Sequence, residues 1–246
     1  MKPFLLLATR AEDVAADDEH RSVLEHGGLR PEQVHRVRLE AGPLPAIDLD
    51  EYSGVIVGGS PFNSSDPDED KSPTQHRVEA ELSALLDEIV DRDFPFLGAC
   101  YGVGTLGSHQ GAVIDTTFSE PVGPTMIQLT EAGRTDPLLA GMPERFEAFV
   151  GHKEAVARLP EHAVLLASSA ACPVQMFRVR ENLYATQFHP ELDLAGLSTR
   201  VQTYREYGYF APEEADAVLA RAAGADVDAS HRVLTAFVRR YAVARP

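Results

Sequence analysis

The chain of 246 residues carries 38 acidic against 22 basic side chains, a formal net charge of −16. Such an excess of negative charge argues against a nucleic-acid backbone or an anionic membrane surface as the main partner. With 44% hydrophobic and 24% charged residues, the composition is that of a soluble globular protein large enough for a full core, and a single domain over residues 1–246 is expected.

The elements follow in chain order. Residues 4–8 (FLLLA) read as a short buried strand of the kind a parallel sheet uses. This apolar run is too short for the core of a signal peptide and leads straight into Arg10, Glu12 and Asp13. No stretch approaches the roughly 20 apolar residues of a membrane span. Residues 11–26 form an expected helix, stopped by Gly27 and Gly28. Strands are expected at 33–39 and 55–57, the second ending in Gly58-Gly59-Ser60-Pro61. Residues 62–73 (FNSSDPDEDKSP) are polar and rich in turn formers, hence a loop, either solvated or serving as a lid. Apolar residues at Val78, Leu82, Leu85, Leu86 and Ile89 mark one face of a helix over 74–92. A strand at 94–97 and a short helix at 103–109 complete an order that favours a parallel sheet covered on both faces.

From about residue 112 to 180 the pattern changes. Short strands at 126–129, 163–167, 174–179 and 183–187 with little helix between them predict a mixed or antiparallel extension of the sheet. The tail, about 194–245, is helical in character. No Pro/Gly/Ser-rich linker divides the chain. Its two cysteines, Cys100 and Cys172, imply no disulfide framework and fit a reducing cytoplasm.

Around Cys100 the run Phe96-Leu97-Gly98-Ala99-Cys100-Tyr101-Gly102 carries an apolar strand into glycines placed two residues to either side of a cysteine. Small neighbours let a strand turn sharply into a helix while the side chain at the turn stands exposed. A helix N-terminus at that point favours the thiolate, the attacking species. A free cysteine is more often a small buried hydrophobe, and Cys172, which lacks this setting, reads that way.

A cysteine nucleophile needs a base, and the base an orienting group. Gln187-Phe188-His189-Pro190-Glu191 follows an apolar strand, at the end where open α/β sheets hold ligands. Pro190 keeps His189 extended, so the Glu191 carboxylate two residues on can reach the ring. Acyl transfer also needs donors aimed at an oxyanion; the backbone N–H groups of Gly59 and Tyr101 are the candidates.

Taken in order, VIVGGSP (55–61), FLGACYGVG (96–104) and QFHPE (187–191) resemble the motifs of class I glutamine amidotransferases, and the elbow is most like that of GMP synthase glutaminase domains. The resemblance covers roughly residues 50–192. It implies a flavodoxin-like doubly wound fold and a Cys-His-Glu triad of Cys100, His189 and Glu191. It also implies hydrolysis of glutamine through a γ-glutamyl thioester, with ammonia passed to an acceptor. By the same match Gly59 and Tyr101 fall on the oxyanion positions, and Gly151, His152 and Lys153 on the loop that contacts the substrate. Cys172-Pro173-Val174-Gln175 resembles the segment beside the pocket. No cofactor is implied and no metal site is read, since neither H-E-x-x-H nor a zinc-spaced cysteine pair occurs. Nor is there a phosphate loop, so a separate synthetase or acceptor subunit is expected. One position departs from the pattern. Where the family's elbow often continues G-x-C-x-G-x-Q, this chain has Gly104. Gly104 favours one alternative, a hydrolase for another γ-glutamyl compound; a second alternative, a catalytically silent regulatory or binding subunit, is weighed against by the retention of Cys100, His189 and Glu191 together.

Overall fold

A computed structural model describes residues 1–244. In chain order it builds β1 (Phe4–Ala8), α1 (Asp13–Gly27), β2 (Val34–Arg38), β3 (Gly54–Val57), α2 (Pro73–Asp91), β4 (Phe96–Ala99) and α3 (Tyr101–His109). Then come β5 (Val113–Asp115), β6 (Glu120–Leu129), α4 (Glu131–Thr135), β7 (Arg145–His152), β8 (Ala155–Arg158), β9 (Val164–Ser168), β10 (Met176–Val179) and β11 (Leu183–Thr186). Helices α5 (Leu194–Thr203), α6 (Ala215–Ala222) and α7 (Asp228–Tyr241) follow. The last position of the expected helical tail, Arg245, lies outside the described residues.

The main sheet has nine strands in the order β2-β1-β3-β4-β11-β10-β9-β6-β7. Strands β2, β1, β3, β4 and β11 run parallel; the remaining pairings are antiparallel. The expected doubly wound sheet with an antiparallel extension is therefore what forms. Side-chain alternation feeds both faces. Phe4 and Leu6 of β1 join Val23 of α1 and Phe237 of α7 in one core. Leu5 and Leu7 join Val78, Leu82 and Ile89 of α2 in the other.

Local chemistry explains the boundaries. Helix α2 starts where the Ser72 hydroxyl accepts from the Gln75 N–H and Pro73 occupies the first turn, a combination that satisfies a loose donor and presets φ. Helix α1 ends at Gly28 in the left-handed region, φ 63°, as its glycines predict. Strand β4 begins two residues later than expected. The Phe94 N–H is spent on Ile89 O at the helix exit, and Pro95 has no N–H to offer. The sequence reading omits β7, although Phe146, Ala148 and Val150 alternate as buried residues along it. It also omits the small sheet of β5 and β8. Strand β6 runs from Glu120, longer than expected, because β7 pairs along most of its length. Among the described residues no helix is long and apolar enough to cross a membrane.

One edge of the sheet gathers the chemistry. Thr9 and Arg10 follow β1, Gly58 and Gly59 follow β3, Cys100 follows β4, and Gln187 to His189 follow β11. Chain order reverses around β1, whose two neighbours are β2 and β3, and such a point opens a crevice at the carboxyl ends of strands.

Candidate active site

Cys100 sits at φ 53°, ψ −90°, a backbone conformation costly for a residue with a Cβ and typical of a strained functional turn. Its N–H donates to Thr186 O at 2.7 Å, so the neighbouring strand pins the turn. Gly98 makes the turn sterically feasible: a Cβ there would lie 2.7 Å from the Gly102 Cα. Cys100 caps the N-terminus of α3. Burial nevertheless dominates the thiol and pushes its pKa up to about 12, against the pull of Arg10 and Arg200. At rest the group is a thiol, and it needs a base when substrate arrives.

His189 faces the same cavity as Cys100. Its N–H donates to Phe149 O at 3.0 Å, tying the turn after β11 to β7. The ring Nδ1 lies 2.8 Å from Glu191 Oε1 and 2.9 Å from Arg200 Nη1, and Arg200 Nη2 donates to the same carboxylate oxygen at 2.8 Å. Burial lowers the His189 pKa, with Glu191 opposing. Glu191 is also desolvated, yet His189 and Arg200 hold its carboxyl well below the usual range. In the tautomer that donates Nδ1–H to this carboxylate, with Arg200 Nη1 a neighbour of the ring and not a donor to it, Nε2 presents a lone pair, the form a general base requires.

Gly59 lies beside that ring. A Cβ on it would stand 2.6 Å from His189 Cε1 and 2.7 Å from Arg10 Nη2, so a side chain here would displace the ring. The Gly58 N–H is used by Leu7 O at 3.1 Å. Among the described residues, the N–H groups of Gly59 and Tyr101 make no backbone hydrogen bond.

The other expected residues divide. Gly151 borders both of the cavities that Cys100 lines. The His152 ring turns inward, with Nδ1 2.9 Å from Glu154 O and Nε2 3.0 Å from Glu120 Oε2. Lys153 reaches away to the C-terminal segment, donating to Tyr207 O at 2.7 Å and lying over the Tyr209 ring. The loop at 62–73 is pinned at its start, because the Glu154 carboxylate accepts from the N–H groups of Ser64 and Ser65 at 2.8 and 2.7 Å. That clasp explains Gly104. A Cβ there would meet Ser64 Oγ at 2.5 Å and Glu154 Oε1 at 3.0 Å, so the loop occupies the space a longer side chain would need.

Sequence reasoning missed Arg10, Glu19 and Arg200. Arg10 Nε donates to Glu19 Oε1 at 3.0 Å, with the two side chains 5% and 0% exposed. The position of Arg10 just beyond the carboxyl end of β1 was a usable signal; nothing in the spacing marks Arg200 or Glu19. One trio of metal-ligand chemistry occurs among the described residues: the donor atoms of Glu120, His152 and Cys172 lie within 4.8 Å of one another. Its groups already bond one another and their surroundings. Glu120 accepts from Gln175, Thr125 and Ser169 as well as meeting His152, and the Cys172 thiol donates to Val174 O.

Known proteins share both the sequence pattern and the fold. A family model described as glutamine amidotransferase class-I matches residues 20–201. The glutamine-hydrolyzing GMP synthase subunit of Thermoplasma volcanium is 30% identical over 180 residues, covering 70% of this chain and 82% of that protein. A crystal structure of a glutamine amidotransferase from Thermotoga maritima superposes with a TM-score of 0.77 at 19% identity, covering 98% of both chains. One from Methylobacillus flagellatus gives 0.74 at 19% identity, over 100% of this chain and 98% of that one. At these identities the two structures establish likeness of fold.

Proposed function

The chain belongs to the glutamine amidotransferase class-I family, and from that premise we propose that it hydrolyses the side-chain amide of glutamine through a γ-glutamyl thioester on Cys100. The observation that carries this reading is the strained turn that presents Cys100 to the same cavity as His189, whose Nδ1 is held by Glu191.

His189 Nε2 takes the thiol proton as the sulfur attacks the γ-carbon, so the high resting pKa of Cys100 is overcome only with substrate in place. Negative charge then develops on the carbonyl oxygen, where the Gly59 and Tyr101 N–H groups are the donors assigned to it. The imidazolium, stabilised by Glu191, gives its proton to the departing nitrogen. Water activated by the same ring cleaves the thioester, and glutamate leaves. Gly151, with the backbone around His152 and Lys153, lines the smaller cavity and is assigned to the glutamyl end. The ammonia goes to an acceptor on a separate synthetase chain. The naming of the relatives as one subunit of a glutamine-hydrolyzing GMP synthase supports that division of labour.

A second reading, hydrolysis of another γ-glutamyl compound, is favoured by one observation: the 62–66 loop and Glu154 fill the space beside Gly104. Labelling with an electrophilic glutamine analogue, followed by peptide mapping, tests the thioester chemistry. A single adduct on Cys100, blocked by excess glutamine, is the expected result. An unlabelled Cys100, or labelling indifferent to glutamine and to other γ-glutamyl amides, would remove the proposal.

A further inference from the structure

Four buried charges surround His189, and each comes from a different part of the fold. Arg10 follows β1, Glu19 is on α1, Glu191 follows β11 and Arg200 is on α5. Two guanidinium groups and two carboxylates balance, so a neutral His189 leaves the cluster without net charge. An imidazolium formed at rest would add an unpaired positive charge in a desolvated place, which is unfavourable.

The contacts within the cluster are unequal. Arg10 Nε donates to Glu19 Oε1 at 3.0 Å, and Glu19 Oε2 packs against Gly58, where a Cβ would stand 2.5 Å away. Arg200 Nη2 lies 3.6 Å from that same Glu19 Oε1 and 2.8 Å from Glu191 Oε1. Its Nη1 stands 2.9 Å from His189 Nδ1. One planar fork therefore meets both the carboxylate and the edge of the ring. Among the described residues, Glu191 Oε1 is held by His189 and Arg200 alone, and Glu191 Oε2 is buried with no partner.

We infer that Arg200 is a positioning residue for the proposed hydrolysis: its fork fixes the Glu191 carboxylate against the His189 ring, and Glu19 anchors the fork from α1. This deepens the thioester chemistry proposed above and rests on it. A lysine supplies the charge but not both contacts, since its ammonium is a point donor and the guanidinium a rigid fork. Arg200 also acts through its field. It opposes protonation of the ring, as Arg10 does, while Glu191 favours it. The ring stays neutral until the thiol proton reaches it, and by then the tetrahedral adduct carries the compensating negative charge. The same field makes the imidazolium a readier proton donor to the departing nitrogen. The other titratable groups facing this corner are Cys100, Tyr204 and Tyr209 around the cavity, and from α7 His231, whose Nδ1 lies 2.8 Å from Pro190 O. Burial favours the neutral form of each.

Steady-state kinetics of the full chain on glutamine test the inference, with rates divided by the number of Cys100 sites that an electrophilic glutamine analogue labels at completion. Arg200→Lys keeps a cation between the two carboxylates. It is expected to lose about 100-fold in kcat, the order that a misplaced catalytic group costs, with KM within about threefold and the acid limb of the kcat/KM profile unmoved. Arg200→Gln removes the charge as well, and its acid limb moves to higher pH, because a ring without a neighbouring cation holds its proton longer. Division by labelled sites removes the unfolded fraction, so a purely structural role leaves kcat near the wild-type value. Where glutamine turns over too slowly, the maximal rate of labelling and its half-saturating concentration replace kcat and KM. If Arg200→Gln does not fold, Arg200→Lys decides through its kcat and KM. A kcat of Arg200→Lys within about threefold of wild type, or a loss confined to KM, overturns the inference. So does an acid limb in Arg200→Gln that stays in place or moves to lower pH. Each of these results leaves the thioester chemistry standing; a wild-type chain that the analogue does not label at Cys100 removes both.

Discussion

Among the described residues a cysteine, a histidine and a glutamate gather in two places, and the two trios differ in what they leave available. Cys172, His152 and Glu120 are all buried. Around them the Cys172 thiol donates to Val174 O, both ring nitrogens of His152 meet acceptors, and Glu120 collects bonds from Thr125, Ser169 and Gln175. Burial works against the Glu120 carboxylate, but the bonds from His152 and the hydroxyls outweigh it and hold its pKa below the ordinary value. Cys100 instead is only partly buried at the turn between β4 and α3, with its thiol desolvated at the cavity wall. His189 is anchored at Nδ1 only, and both it and Cys100 border open space. Residue types alone do not make a reactive centre; an unspent lone pair, a strained turn and a cavity are what set the Cys100 site, proposed as catalytic, apart from the sealed one.

Exchanging one cysteine at a time breaks the comparison most sharply. Cys100→Ala is expected to lower hydrolysis by about 10⁴-fold or more, with the fold intact by circular dichroism. Cys172→Ala is expected to leave the rate within about twofold and to lower stability by about 1 kcal/mol, read in a urea titration. If the two variants lose activity alike, the distinction between the trios is wrong.

The histidines separate rate from stability. His189→Ala is expected to lose about 10³- to 10⁴-fold in kcat. His152→Ala removes one of several partners of buried Glu120 and leaves a space in the core, and is expected to cost about 1–3 kcal/mol of stability, so its thermal midpoint falls while the thiol chemistry of the folded fraction persists. Gly59→Ala carries a Cβ into the His189 ring and Arg10; displacement of the base and of one oxyanion donor predicts a loss of about 10²- to 10³-fold in kcat, with KM changing less.

A pH experiment sharpens the contrast without mutation. Because burial raises the Cys100 thiol to about 12, its alkylation by a small neutral reagent should climb about tenfold per pH unit up to pH 10. An ordinary thiol would level off above about pH 8.5. A plateau near neutral pH would mean that Cys100 rests as a thiolate paired with a charged His189, not as a neutral thiol. A modest effect is expected at the elbow's exit. Gly104→Gln forces the 62–66 loop off its clasp on Glu154, which predicts a destabilisation of about 1–3 kcal/mol and a KM change larger than the change in kcat.

What the sequence disclosed and what it withheld follow from the range of the forces involved. Glycines at positions 98 and 102 around Cys100 announce the elbow because a tight turn is a property of a few consecutive bonds. Spacing alone exposes the buried face of α2, and the Gln187 to Glu191 run offers a base next to its carboxylate. Strand β7 is equally legible in its alternation of buried Phe146, Ala148 and Val150. Arg10 and Arg200 come from opposite ends of the chain to flank Cys100. Ser64 and Ser65 meet Glu154 across some 90 intervening positions, and thereby close the space beside Gly104. Whether a given cysteine, histidine and glutamate are sealed or open likewise depends on which strands pair around them. Turn chemistry and periodicity act locally and can be read along the chain, whereas charge pairing and burial join residues that are brought together only when the sheet has formed and the helices close over it.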